Sequence, residues 1–156
     1  MKVGRITCSD RASSGIYEDA GGPEIERVFG SIWTGPVEFA ARIIPDEAAV
    51  IEAALRQLSD EEGCPLIITT GGTGFAARDV TPEATRAVIT RELPGFGEIM
   101  RNVSFVVAPT SILSRATAGI RGRSLIINLP GNPKAIAQCL PPLLPAIREA
   151  LRHLAE

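Results

Sequence analysis

The chain has a single histidine, His153, three residues from its C-terminus, and that scarcity removes two large groups of chemistry at once. Neither a serine–histidine triad nor a histidine-ligated zinc can be assembled from it, so His153 reads as a charge-compatible residue in the last turn of a helix. Lysine is almost as scarce, with Lys2 and Lys134 alone, and no GxxxxGK[ST] stretch occurs, which excludes a Walker-type phosphate loop. Cysteine is limited to Cys8, Cys64 and Cys139, odd in number, far apart and without a CxxC pair. That leaves no disulfide framework and no thiolate metal site, and fits a reducing compartment. A net charge of −2 with 4% aromatic residues offers no basic stripe with interleaved rings, so nucleic-acid binding has no support, while a small anion held locally is still possible. No apolar run approaches a membrane span, and "MKVGRITCSDR" meets Arg5, Asp10 and Arg11 too soon for a signal peptide. A cytoplasmic location away from any membrane is expected. Catalysis, if there is any, must run on carboxylates, arginines, hydroxyls and backbone.

What is present is enough apolar material for one ordinary core: 156 residues, 45% of them hydrophobic, without repeat, linker or low-complexity segment. A single domain over residues 1–156 is expected. "KVGRITCS", "PVEFAARII", "CPLIITT" and "SLIINL" read as strands. Between them Ile25, Val28, Phe29 and Ile32, and later Val50, Ile51, Ala54, Leu55 and Leu58, recur at helical spacing. Strand–helix alternation with apolar strands predicts an α/β fold with a mostly parallel, doubly wound sheet covered on both faces. Pro141, Pro142 and Pro145 interrupt the final helical pattern, which predicts two helical pieces or a sharp kink. The stretch from 94 to 122 is weaker, with "PGFGEIMRNVSF" compatible with a helix and "ATAGIRG" with a short hairpin onto the last strand.

Ligands in open α/β sheets bind beyond the carboxyl ends of strands, and "IITT" runs there into Gly71, Gly72, Thr73 and Gly74. Bare backbone of this kind can turn its N–H groups inward as an anion nest. Asp79 follows, then Thr81 as N-cap, Pro82 as first helical residue and Glu83 as a first-turn acid. A carboxylate beside a phosphate cradle repels it unless a cation intervenes, so Asp79 suits a Mg²⁺ ligand, the plainer reading being a solvated loop acid. Gly72, Gly74 and Ala77 also match GxGxx[GA] with Glu92 at the distance of a ribose acid. That match is poor, because "RDVTP" separates the loop from its helix and Glu92 falls in that helix rather than at a strand tip. "INLPGNPKA" repeats the pattern, with Pro130 and Gly131 turning and Asn132 and Pro133 opening a helix. Asp46 lies between a strand and a helix, where a plain N-cap is one role, and "SDRASSG" supplies another polar loop at the same edge.

"ITCSDRASSGIYEDAGGPEI", "IIPDE", "ITTGGTGFAARDVTPEAT", "LPGFGEIMR", "ILSRATAGIRG" and "LIINLPGNPKA" together resemble, in order and across nearly the whole chain, the molybdopterin adenylyltransferase family of MogA/MoaB type, also found as the gephyrin G domain. The resemblance implies a three-layer α/β/α domain, commonly a homotrimer, that adenylylates molybdopterin with Mg-ATP and releases pyrophosphate before molybdenum insertion, with contact to the insertion enzyme. It implies that Asp46 and Asp79 carry Mg²⁺ and catalysis. It places Gly71, Gly72, Thr73, Gly74, Glu98, Pro130 and Gly131 at the nucleotide, and Ser9, Asp10, Arg11, Ser13, Ser111, Ser114 and Arg115 near the pterin and its phosphate. The alternative is a module of the same fold that binds molybdopterin or a protein partner without turnover. The terminal phosphate of molybdopterin is itself an oxyanion, so transfer needs positioning and charge neutralisation rather than a protein nucleophile.

Overall fold

In the computed structural model, which describes residues 1–156, the four apolar runs form the parallel part of one sheet. Its strands are β1 (Lys2–Cys8), β2 (Glu38–Ile44), β3 (Leu66–Thr70), β4 (Arg91–Glu92), β5 (Ala118–Arg121) and β6 (Ser124–Leu129), in spatial order β2-β1-β3-β6-β5-β4. β2, β1, β3 and β6 run parallel, whereas β5 is antiparallel to both β6 and β4. Every position of β3 and β6 is buried, as expected for strands covered on both faces.

The helices are α1 (Asp10–Ser13), α2 (Gly21–Ile32), α3 (Ala48–Arg56), α4 (Thr81–Val88), α5 (Gly95–Phe105) and α6 (Pro133–Ala155). Because successive strand residues face opposite ways, Ile68 and Ile127 enter one core with Phe29 of α2, Met100 of α5 and Leu140 of α6. Ile67 and Ile126 enter the other with Ile51 and Leu55 of α3 and Val88 of α4. The result is three layers, with α2, α5 and α6 on one face and α3 and α4 on the other.

The C-terminal segment departs from expectation. Instead of breaking, α6 runs as one helix of 23 residues with Pro141, Pro142 and Pro145 inside it. Each proline removes a backbone donor. Burial of Ile136, Cys139 and Leu140 before the prolines, and of Leu143 and Ile147 among and after them, holds the same face on the sheet throughout. The predicted hairpin is present as β5–β6, and 95–105 is helical. Three local expectations shift. Thr81 is the first residue of α4 rather than its cap, which is Val80. Asp46 is not a cap, since Glu47 holds that position for α3. Glu92 is in β4, outside the helix, and accepts hydrogen bonds from Thr117 Oγ1 at 2.8 Å and Arg86 Nε at 3.1 Å. His153 lies in the last turn of α6 beside Glu149, as expected.

The topology locates the site. The chain steps from β1 outward to β2, then crosses back over β1 to β3, so the strand order reverses between β1 and β3. A crevice opens at such a switch point beyond the carboxyl ends of the strands. In register, Thr7 of β1 pairs with Thr70 of β3, and Thr70 with Leu129 of β6, which sets the loops after all three strands side by side.

Candidate active site

Residues 71 and 72 leave β3 by a route that only glycine follows comfortably. Gly71 and Gly72 have φ of +89° and +65°, and a Cβ on Gly71 would lie 2.3 Å from the carbonyl oxygen of Cys8. A Cβ on Gly72 would lie 2.3 Å from Thr81 Oγ1 and 3.1 Å from Asp46 Oδ1. Gly74 does not take a positive φ, but the Asp79 carboxylate occupies its side-chain space, with Oδ2 2.7 Å from where a Cβ would be. The N–H groups of Gly72, Thr73 and Gly74 have no hydrogen-bond partner within the chain, so the loop offers free donors of the kind that hold anions.

Two carboxylates face this loop in a cleft of about 390 Å³ that also includes Gly71, Gly72 and Gly131. Asp46 is tied to Asp10 reciprocally: Asp10 N–H donates to Asp46 Oδ2 at 3.0 Å, and Asp46 N–H donates to Asp10 Oδ1 at 3.1 Å. Asp46 Oδ1 is buried and has no partner. Burial pushes its carboxyl pKa up, the negative charges of Asp10 and Asp79 add to that, and the Asp10 N–H and Arg78 oppose it. Asp10 is pulled down, chiefly by its fork to Arg78 at 2.9 and 2.8 Å. Asp79, just ahead of the start of α4, is held by the Ala76 N–H, which donates to its Oδ2 at 2.9 Å.

These donors are all oxygen, which suits a hard divalent cation, and the unpartnered Asp46 oxygen is an acceptor that such an ion satisfies. No cluster of three or more His, Cys, Asp or Glu side chains is arranged to hold a metal alone. A pair of acids therefore fits Mg²⁺, which keeps several waters and completes its shell with substrate phosphates, better than a cation that needs a protein cage.

Thr73 and Gly74 line a second cleft, of about 460 Å³, together with Ser111 and Ser114 from the segment after α5 and Asn132 and Lys134 from the start of α6. The expected pterin residues are thus divided. Ser9 lines the acidic cleft and Asp10 is bonded to it, while Ser111 and Ser114 line the other. Arg11 and Ser13 sit on α1 and line neither, and Ser13 Oγ donates to the Asp10 carbonyl. Arg115 is engaged in holding the loop. Its Nε donates to Gly74 O at 2.7 Å, a terminal nitrogen donates to Asp79 O at 2.7 Å, and it pairs with Glu83. Its backbone N–H also donates to Thr73 O at 2.8 Å. Of the expected nucleotide residues, Pro130 lines the second cleft and Gly131 the first, and exposed Glu98, in the first turn of α5, lines neither.

The acidic cleft contains two side chains that the motifs did not single out. Tyr17 Oη lies 2.8 Å from Ser9 Oγ at its mouth. Asp19 accepts from Thr7 Oγ1 at 2.9 Å and from the Gly22 N–H at 3.0 Å, and pairs with Arg5 at 3.0 Å. The signal for Asp19 was its place immediately before a Gly-rich helix start. For Tyr17 it was its being the chain's one tyrosine beside the "SDRASSG" loop.

Known proteins share both the sequence and the fold. Residues 4–149 match the family model described as probable molybdopterin binding domain. The chain is 52% identical over 147 residues to a molybdopterin adenylyltransferase of Helicobacter pylori strain J99, covering 94% of this chain and 84% of the relative. It is 54% identical over 140 residues to the Escherichia coli K12 protein of the same name, covering 90% of this chain and 72% of that one. The crystal structure of the molybdopterin biosynthesis enzyme MoaB from Thermus thermophilus superposes with a TM-score of 0.89 at 45% identity, covering 98% of this chain and 95% of that one.

Proposed function

The chain belongs to the probable molybdopterin binding domain family, and we propose that it is an enzyme of molybdenum cofactor biosynthesis that adenylylates molybdopterin with ATP, releasing pyrophosphate. The observation that carries this reading is the meeting of Asp46, with its orphaned oxygen, and Asp79 at a glycine loop whose N–H groups are free. Asp46 and Asp79 would hold Mg²⁺, which when bound offsets charge on the phosphates and on the departing pyrophosphate. The free N–H groups of residues 72–74 bind phosphate oxygens and hold the chain of phosphates still. Asp10 orients Asp46 through the reciprocal pair, and Arg78 holds Asp10. Arg115 fixes the two ends of the loop relative to each other. The acceptor phosphate needs no protein base, because it is ionised at neutral pH, so the chain's task is to align it with the α-phosphorus. Incubating the protein with molybdopterin, Mg²⁺ and ATP and measuring pyrophosphate tests the reading, and absence of release that depends on molybdopterin defeats it.

The enzyme forms a homotrimer in this proposal. The end of α5 and the segment after it support self-association, because they expose Phe105, Val106 and Ile112 on a chain of 16.5 kDa. Sedimentation at micromolar concentration should give a species of three chains, and a 16.5 kDa monomer would exclude it. A cytoplasmic setting is supported by the three free, buried cysteines. The adenylylated product goes on to molybdenum insertion, the point at which contact with the insertion enzyme is expected.

A further inference from the structure

The two clefts adjoin along a septum of backbone whose residues are divided between the two sides. Gly71 and Gly72 line the acidic cleft, whereas Thr73 and Gly74 line the other. In the second strip of the septum, Gly131 and Pro133 face the acidic cleft and Pro130, Asn132 and Lys134 face away from it. The two strips touch: a Cβ on Gly131 would lie 3.4 Å from Gly71 Cα.

Charge is sorted across this septum. The acidic cleft is lined by Asp19, Asp46 and Asp79 with no lysine or arginine. The other is lined by Arg101 and Lys134 with no aspartate or glutamate. Arg101 is anchored to backbone through Nη1, which donates to the carbonyls of Ser114 at 3.2 Å and Ala116 at 3.0 Å. Lys134 is not, since Lys2 is the only lysine in an ion pair and no side-chain hydrogen bond involves the Lys134 ammonium. Beside it the Thr73 hydroxyl lacks a partner, and the exposed rings and chains of Phe75, Val107 and Leu113 border the same space.

An anion without its own cation is repelled by the Asp46 and Asp79 carboxylates, Asp19 being paired with Arg5, and attracted by a free ammonium, whereas a metal-bound polyphosphate reverses that preference. We propose that Lys134 is the residue that recognises the phosphate of the acceptor substrate, from the cleft opposite the aspartates, and so selects phosphorylated over unphosphorylated acceptors. This rests on the adenylyl-transfer reading. Residues 72–74 and 133–134 border both clefts in turn, so a phosphate held by Lys134 lies where the clefts adjoin, within reach of the nucleotide that the N–H groups of residues 72–74 hold. Apolar side chains at the cleft border cover the organic part of the acceptor.

The test uses the full chain as Lys134→Gln and Lys134→Arg. Gln keeps the backbone N–H that donates to Asn132 Oδ1 at 2.9 Å, so the start of α6 is preserved. Pyrophosphate release is measured against molybdopterin at saturating Mg-ATP, and against ATP at saturating molybdopterin. Lys134→Gln should raise the KM for molybdopterin about tenfold or more, the scale of one charge-assisted contact, with the KM for ATP within about twofold. Lys134→Arg should restore most of the loss, and the wild-type KM for molybdopterin should rise more steeply with salt than that of the Gln variant. An unchanged KM for molybdopterin in Lys134→Gln, or a rise in the KM for ATP instead, overturns the assignment. If the wild type releases no pyrophosphate, the adenylyl-transfer reading fails separately. Equilibrium binding of molybdopterin to wild type and Lys134→Gln then decides the role of the lysine, equal affinities overturning it.

Discussion

Replacing Asp46 by asparagine should leave the protein as stable as before, or more so, while nearly abolishing turnover. The folded chain already disfavours the Asp46 charge: burial and two neighbouring carboxylates raise its pKa, so above that pKa the ionised group opposes folding rather than assisting it. Asparagine keeps an oxygen to accept from the Asp10 N–H, now at 3.0 Å. Its NH₂ group takes the place of an acceptor that has no donor, close to a second orphan, Thr81 Oγ1, which approaches the same point above Gly72. Relief of an unsatisfied buried acceptor is worth on the order of 1 kcal/mol, so the urea midpoint should stay the same or rise by that scale. Turnover should move the other way. Removing one electrostatic contact made to the reacting phosphates costs about 3 kcal/mol, a fall of about 10²-fold or more in kcat. Asp79→Asn should act similarly, and the double variant should lose less than the sum if the two acids serve one step. The assay is pyrophosphate release at saturating substrates, paired with urea unfolding at equal protein concentration. A folded Asp46→Asn protein with turnover within about threefold of wild type would refute the reasoning.

Further outcomes follow from single contacts. Gly71→Ala must move its loop away from the Cys8 carbonyl, 2.3 Å from the new Cβ, at a φ of +89°, and should lose about 2 kcal/mol or more in urea unfolding together with activity. Wild-type stability in that variant would show that the loop gives way freely. Arg115→Met removes the donors to Gly74 O and Asp79 O and should cost about 1–3 kcal/mol, with faster hydrogen exchange over residues 73–79. Exchange unchanged there would mean the loop holds itself. Burial pushes the Cys8 thiol up to about 12 and raises Cys64 and Cys139 as well, so native protein at pH 8 should resist an aromatic disulfide reagent and show three reactive thiols only on denaturation.

The fold was legible because its signals are local and repeat. Apolar runs such as "LIITT" and "SLIINL" have no polar face to place in water, and Ile25, Val28 and Phe29 repeat at helical spacing, so strands, helices and the doubly wound class follow from period alone. The prolines of α6 misled because their cost is local, whereas the burial that offsets it comes from α2, α5 and the sheet. The candidate site was legible in its glycines and acids, whose residue types are unusual at strand ends and which meet in one cleft. It was not legible in its partition. Whether Thr73 faces the same way as Gly72, or Lys134 as Pro133, depends on the turn of the backbone at each residue, and no composition or spacing encodes that.

The same residues show why a stable fold would keep so costly an arrangement. Asp46 Oδ1 and Thr81 Oγ1 are buried without partners, two glycines hold left-handed backbone, and three acids share one cleft. Each departs from the rule that local choices agree with the global structure, and such departures concentrate where function requires them. A structural role explains the Arg115 clamp and the Asp19 network, whose atoms are satisfied by one another. It does not explain Asp46, because apolar or amide side chains would fill that position at less cost. At this loop the unsatisfied groups are the Asp46 oxygen, the Thr81 hydroxyl and a set of N–H groups, complementary to a cation and to an anion in turn. A metal-bound polyphosphate would supply both, and the proposed role of Lys134 leaves its ammonium for the second, metal-free phosphate.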